Sequence, residues 1–127
     1  MNCVRTLPWV RAVHDRYGRQ GLAVIGIHSP EFAHERRREG VEQAVREHGL
    51  DYPQFLDTDL RYWDALHNEY WPTTYLVDRC GRIRDRHIGE VHEDDASGRG
   101  LEARIEALLA EGLSDCGAAA QSAGGRE

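Results

Sequence analysis

The stretch Trp71-Pro72-Thr73-Thr74-Tyr75-Leu76-Val77 places a proline where a β-strand begins. The five residues after the proline are β-branched, aromatic or aliphatic, a composition that favours a strand. A proline at the start of a central strand is unusual, because it removes a ladder hydrogen bond. A cis bond in a tight turn would accommodate it and leave the Trp71 backbone free to pair with an extended peptide. The alternative is a trans proline that opens an edge strand, and the rarity of cis bonds by itself favours that alternative.

Hydrophobic periodicity divides the rest of the chain into helices and strands. The continuous apolar run at 22–27 predicts a strand buried on both faces, as in a parallel sheet. The polar residues 57–59 are expected to cap a short helix that carries Leu60, Trp63 and Leu66. The predicted order is helix 3–19, strand 22–27, helix 32–48, strand 53–56, the capped helix, strand 73–77, turn 78–81, strand 82–88 and helix 99–111. This order indicates an α/β fold with a mixed sheet, because strands joined by a tight turn are antiparallel.

Length and charge limit the classes of protein that the sequence fits. Its 127 residues suffice for one domain, which we place at 1–112, followed by an Ala/Gly/Ser-rich tail at 113–127 that we expect to be disordered. No apolar run is long enough to span a bilayer, and no secretion signal is visible, so the sequence as written predicts a cytoplasmic protein. The net charge is −6, and acidic residues surround the arginines at 36–38, which predicts a solvated helix face and no nucleic-acid partner.

The chain has three cysteines, Cys3, Cys80 and Cys116. Their odd number and wide spacing exclude a disulfide framework and a Cys-x-x-Cys zinc site. Cys3 lies at the start of the first predicted helix, where backbone N–H groups and the helix dipole favour a reactive thiolate. A structural cysteine at the start of a core helix would occupy the same position, so position alone leaves both interpretations open.

Two segments together carry a resemblance to a known family. Cys3-Val4-Arg5-Thr6-Leu7-Pro8 resembles the segment after the second cysteine of the thioredoxin active site, and residues 71–78 with Gly81 resemble the cis-proline strand and hairpin of that superfamily. Within it, Asn2-Cys3-Val4-Arg5-Thr6-Leu7-Pro8 and Gly26-Ile27-His28-Ser29-Pro30-Glu31-Phe32 are similar to the thioredoxin-like domain of DipZ-type cytochrome c biogenesis proteins, and TlpA and ResA are related. The resemblance covers about residues 2–111.

The resemblance implies a thiol–disulfide oxidoreductase of the redoxin type. Cys3 would be the second cysteine of a Cys-x-x-Cys pair, which resolves the mixed disulfide, and Trp71, Pro72 and Thr73 would form the substrate groove. The attacking cysteine belongs three residues earlier, before Met1, and the family's first central strand also lies upstream. Either the start codon was assigned too late or the gene encodes a degenerate domain; as written, the site is incomplete or inactive. Cys80 is too far from Pro72 to replace the missing cysteine, and a bond between Cys3 and the tail cysteine is not expected.

The implied partner is a protein or small-molecule thiol or disulfide, with a membrane electron donor as in the family and no cofactor. Relatives act outside the cytoplasm. The missing strand belongs between the strands at 22–27 and 73–77, so its absence leaves a gap or two exposed edges, which favour a homodimer. One alternative is a peptide-binding module with the groove but without redox turnover. A peroxiredoxin-type peroxidase ranks last, since it requires a threonine and a proline upstream of the cysteine.

The seven histidines do not predict a metal site. His14, His34, His48 and His67 fall on predicted helices without a paired ligand spacing. His87 and His92, beside the acidic residues 93–95, are the nearest to a cluster, and an exposed acidic loop explains them better.

Overall fold

The computed structural model describes residues 2–31 and 37–116, without the side chains of 2, 3, 114 and 115. Its elements, in chain order, are α1 (Asn2–Tyr17), β1 (Gly26–His28), α2 (Arg38–His48), β2 (Gln54–Leu56), α3 (Arg61–Ala65), β3 (Thr73–Val77), β4 (Ile83–Ile88) and α4 (Ala96–Ala110), with short 3₁₀ helices at Gly18–Gln20 and Leu113–Cys116. The predicted order of helices and strands is confirmed, and so is the α/β class.

The hydrophobic core lies between α1, α4 and β3. Helix α1 contributes three residues spaced by four, Trp9, Val13 and Tyr17. Helix α4 contributes Leu101, which is 1% exposed, and Ile105 one turn later. The buried cluster consists of Trp9, Val13, Tyr17, Leu76, Val91, Leu101 and Ile105. Both long helices therefore cover the same face of the β3–β4 pair.

Helix α4 begins three residues earlier than predicted because Asp95 caps it. The Asp95 side chain accepts hydrogen bonds from the backbone N–H groups of Ser97 and Gly98. Gly98 is buried where the helix meets the carbonyl oxygen of His92, which leaves no room for a Cβ atom. The first turn of α4 can approach the loop before it so closely only with glycine at this position.

The strands form two separate pairs in the part of the chain that the structure describes. Strand β1 pairs with β2 in parallel, with Ile27 opposite Phe55, and β3 pairs with β4 in an antiparallel ladder. No ladder joins β1 to β3 within residues 2–31 and 37–116. This arrangement agrees with the predicted gap in the sheet.

The prediction that the run at 22–27 is buried on both faces is wrong. Only Gly26–His28 forms the strand, and Ala23, Ile25 and Ile27 are exposed, whereas the alternating residues are half-buried. The half-buried residues lie on the face of β1 that points towards the body of the molecule. No element of the described chain covers the other face, which also exposes Phe55 of β2.

Two further boundaries differ from prediction. Helix α2 begins at Arg38, and the first part of the predicted helix, residues 32–36, lies outside the described residues. Leu113–Cys116, assigned to the disordered tail, forms a 3₁₀ helix whose Cys116 is bonded to Cys80. The number and spacing of the cysteines do not predict this bond, because spacing does not report that the end of α4 lies over the turn between β3 and β4. The rest of the predicted tail, 117–127, is outside the described residues.

The turn between β3 and β4 is held by a buried carboxylate. Asp78 accepts hydrogen bonds from the backbone N–H groups of Cys80 and Arg82 and from the side chains of Arg82 and Arg84. Burial acts to raise the pKa of Asp78, but these bonds outweigh it and hold the pKa well below its usual range. Gly81 completes the turn with a positive φ of 81°.

Candidate functional site

The predicted groove residues lie on a turn that enters β3. The Trp71–Pro72 peptide bond is cis, and Trp71, Pro72 and Thr73 are all half-buried. The Thr73 hydroxyl donates to the carbonyl oxygen of Tyr70 at 2.7 Å, which closes the turn on its N-terminal side. The Pro72 carbonyl oxygen accepts from the N–H of Gly89 at 2.9 Å, so the turn is also attached to the end of β4.

The Trp71 ring is fixed on two sides. It stacks on the Trp63 ring of α3, with ring centroids 3.9 Å apart and planes inclined by 16°. Its indole N–H donates to the carbonyl oxygen of Ser29 at 2.6 Å. Because Ser29 directly follows β1, this bond joins the turn before β3 to the other strand pair.

A buried Ser29–Asp57 pair supports this aromatic stack, and the sequence analysis did not identify it. The Ser29 hydroxyl donates to the Asp57 carboxylate at 2.8 Å, and the same carboxylate accepts from the backbone N–H groups of Tyr62 and Trp63, both at 2.9 Å. Burial acts to raise the pKa of Asp57, but the three hydrogen bonds outweigh it and lower the pKa below its usual value. Asp57 thus caps α3, as residues 57–59 were expected to do, and it also positions the helix that carries Trp63.

A signal for this pair exists in the sequence. Strands β1 and β2 are parallel with His28 opposite Leu56, so the next residues, Ser29 and Asp57, emerge at the same sheet edge. In α/β folds, binding sites commonly lie at the carboxyl ends of parallel strands, where polar residues directly follow the strands. Both strands had been predicted, but their adjacency in the sheet had not been used.

The first turns of α1 lie at the same end of the molecule as the groove. The helix begins at Asn2, so the backbone of Cys3 is in its first turn, and the Cys3 side chain is outside the described residues. Arg5 forms an ion pair with Glu90 at 3.3 Å, and the buried hydroxyl of Thr6 accepts from the N–H of Val91 at 3.1 Å. Glu90 and Val91 directly follow Gly89, whose N–H donates to the Pro72 carbonyl oxygen.

Two clefts flank this end of the molecule. One, of about 330 Å³, separates the first half of α1 from the end of α2, and its lining includes Val4, Leu7 and Pro8. A smaller one, of about 130 Å³, lies beside Thr73 and Tyr70 and is bounded by Ile88 of β4. An extended chain laid across the Trp71–Pro72 turn would therefore meet concave, partly apolar surface on the Thr73 side.

The other two cysteines lie at the opposite end of β3. Cys80 and Cys116 form a disulfide with Cα atoms 5.3 Å apart. Arg79, beside Cys80, donates to the carbonyl oxygen of Leu109 near the end of α4. Neither Cys80 nor Cys116 is therefore a free thiol in this state.

One group of potential metal ligands occurs among the described residues, and it was not predicted. His14, Asp15 and Asp51 bring one ligand atom each to within 4.8 Å of one another, and the His14 Nε2 atom lies 3.2 Å from Asp51. The two carboxylates are exposed, and we assign no ion to the group. His87 and His92 contact Glu90 instead of forming a ligand cluster with residues 93–95. No helix in the described part of the chain is long and apolar enough to cross a membrane.

No family model matches the chain, but several known proteins are similar to it in sequence or in fold. It is 39% identical over 90 residues to the protein DipZ of Mycobacterium tuberculosis, covering 71% of this chain and 13% of DipZ. It is 32% identical over 110 residues to the thiol–disulfide oxidoreductase YkuV of Bacillus subtilis, covering 86% of this chain and 70% of YkuV. A thiol–disulfide isomerase structure from Corynebacterium glutamicum superimposes with a TM-score of 0.72 at 24% identity, covering 87% of this chain and 74% of that one.

Proposed function

Because this chain belongs to the thioredoxin-like family of thiol–disulfide oxidoreductases, we propose that it exchanges a disulfide with an extended peptide bound across the Trp71–Pro72 turn. The single observation that carries the proposal is the position of the Trp71–Pro72 turn, which is tied through Gly89 and Glu90 to the first turns of α1. The chain spans 13% of the length of DipZ, so the activity and partners of that whole protein are proposals for this chain.

Cys3 is the proposed reacting thiol; it stands at the position of the family's second cysteine, but here it makes the attack itself. A thiolate at a helix start is favoured by the unpaired backbone N–H groups there. It would attack a substrate disulfide, form a mixed disulfide and release the other substrate sulfur as a thiol. Cys80 and Cys116 are bonded to each other, so neither is a free thiol that could release the product from Cys3. We therefore expect the mixed disulfide to accumulate until an external thiol or a family-type membrane electron donor reduces it.

Replacement of Trp71 tests the groove separately from the thiol. In Trp71→Ala we expect the rate of mixed-disulfide formation with an extended peptide disulfide to fall about tenfold, since a lost aromatic contact of this kind is worth about 1–2 kcal/mol. The rate with cystamine, which is too small to span the groove, should stay unchanged. The readout is the adduct seen by intact-protein mass spectrometry against time.

Val77→Ala serves as the matched control for Trp71→Ala. Val77 is an exposed residue at the other end of β3, so its replacement should leave both rates unchanged. Equal reactivity of the unmodified protein with the peptide and with cystamine, together with an unaffected rate in Trp71→Ala, would rule out a peptide groove at this turn.

A binding module without redox turnover is the second candidate. It is favoured because the supports of the Trp71 ring, from Ser29 and Trp63, do not involve Cys3. Peptide affinity measured by calorimetry would then be the same in Cys3→Ser and the unmodified protein, with no thiol exchange in either. Exchange through Cys3 excludes this candidate.

The edges of β1 and β3 that no strand ladder covers among the described residues are the proposed site of self-association. Each edge presents backbone hydrogen-bonding groups that another strand can pair with. Exposed Ile25, Ile27 and Phe55 beside one of these edges add apolar area. We expect a concentration-dependent dimer in sedimentation velocity, and a monomer at all concentrations would contradict this.

A further inference from the structure

The Cys80–Cys116 bond lies at the opposite end of β3 from the groove, among charged residues. The turn from Asp78 to Arg84 carries three arginines and one aspartate, and Glu111, which follows α4, pairs with Arg84 through both carboxylate oxygens. One Arg82 guanidinium N–H points to the Cys80 sulfur at 3.7 Å. Arg82 therefore places a positive charge next to the Cys80 sulfur, which stabilises a thiolate there and attracts an anionic thiol.

The two cysteines differ in access to solvent. Cys116 is 9% exposed, whereas Cys80 is half-buried in the turn. Cys80 is therefore the more accessible side of the bond for an incoming thiolate. Within the four-residue 3₁₀ helix that ends at Cys116, Leu113 is 73% exposed.

We propose that Cys80–Cys116 is a second dithiol–disulfide site, separate from Cys3, which exchanges with a small anionic thiol of the glutathione type. The thiolate of the small thiol attacks the Cys80 sulfur, the Cys80–Cys116 bond breaks, and Cys116 leaves as a thiolate that takes up a proton. A second small thiol attacks its own half of the mixed disulfide and releases Cys80, beside Arg82, as a thiolate. In sum, two small thiols become one small disulfide, and the protein gains two thiols.

Oxidation has a structural consequence at this site. The bond links positions 36 residues apart and fastens Leu113–Cys116 to the β3–β4 turn. Reduction removes this link, and the Arg84–Glu111 pair and the Arg79–Leu109 bond then still join the end of α4 to the turn. The redox state of the site therefore sets whether the segment after α4 is ordered.

The first test uses Cys3→Ser, so that only the two cysteines of this site can react. The protein is equilibrated with mixtures of reduced and oxidised glutathione, quenched with acid, alkylated and weighed intact. We expect a single transition between zero and two alkylated thiols, with any glutathione adduct mapping to Cys80. Two free thiols in excess oxidised glutathione, or an adduct that maps to Cys116, would overturn the proposal.

The second test measures the order of the C-terminal segment by hydrogen exchange. Reduction should remove the protection of the amides of Leu113–Cys116, lower the Tm by about 10 °C and leave the protection of α1 unchanged. Cys80→Ser/Cys116→Ser should match the reduced protein in every glutathione mixture. Identical protection and Tm in the oxidised and reduced proteins would contradict the fastening role.

The third test concerns the charge beside the Cys80 sulfur. Arg82→Gln should slow the reaction with reduced glutathione about two- to fivefold, because one nearby positive charge is lost. Arg86→Gln is the control, since Arg86 lies in β4 opposite Tyr75, away from the turn that holds Arg82. If Arg82→Gln reacts with reduced glutathione as fast as Arg86→Gln does, Arg82 has no role in the reaction.

Discussion

Cys3→Ser is expected to abolish the mixed disulfide between this protein and a peptide disulfide. With Cys80 and Cys116 bonded to each other, no other thiol of the chain can attack, and a serine hydroxyl does not exchange with disulfides. The unmodified protein should give a one-to-one adduct in intact-protein mass spectrometry, and the variant should give none.

The control for Cys3→Ser is the double variant Cys80→Ser/Cys116→Ser. Its altered residues lie at the far end of β3, so adduct formation should proceed at the rate of the unmodified protein. If the adduct persists in Cys3→Ser, or disappears in the double variant, Cys3 is not the reacting group and the proposed chemistry is wrong.

Asp57→Ala should destabilise the protein by about 3 kcal/mol. The change leaves three buried or partly buried donors, from Ser29, Tyr62 and Trp63, without their acceptor. It also loosens the start of α3 and therefore the Trp63 ring on which Trp71 stacks, so peptide exchange should slow as well. The free energy of unfolding is measured by urea titration, with Asp59→Ala as the control. Asp59 is exposed two residues away, and its replacement should change stability by less than about 0.5 kcal/mol.

The pH dependence of stability gives a second readout for Asp57. Its pKa is lower in the folded protein than in the unfolded chain, so its contribution is complete above the unfolded value of about 4. The contribution is lost as the pH falls through the folded pKa. The stability difference between the unmodified protein and Asp57→Asn should therefore shrink below about pH 4. A difference that stays constant with pH would show that Asp57 is not held as a carboxylate.

The order of helices and strands could be predicted because each element carries its own local signal. Apolar spacing marks α1, the composition of residues 73–77 marks β3, and residues 78–81 mark the turn. The predicted boundaries of elements were wrong where a tertiary contact determines them. For example, α4 starts at Ala96 because Asp95 caps it and Gly98 fits against the preceding loop.

The groove could be proposed from the sequence, but the buried Ser29–Asp57 pair that supports it could not. Ser29 and Asp57 are 28 positions apart and meet only because β1 and β2 are parallel neighbours. The Cys80–Cys116 bond was missed for the same reason, since no spacing rule reports that the end of α4 reaches the β3–β4 turn. Exposure of Ile25 depends on what covers the sheet, which a single apolar run does not specify.

A nitroxide spin label on Cys3 tests most directly whether the start of α1 adjoins the turn at Pro72. In the oxidised protein Cys3 is the one cysteine left to label, and amide broadening by NMR then reports proximity. We predict the strongest broadening at Trp71, Thr73 and Gly89, and little at Gly18, which follows α1, a helix about 24 Å long. Broadening that is strongest at Gly18 or in the turn at residues 78–81, with Thr73 unaffected, would contradict the account.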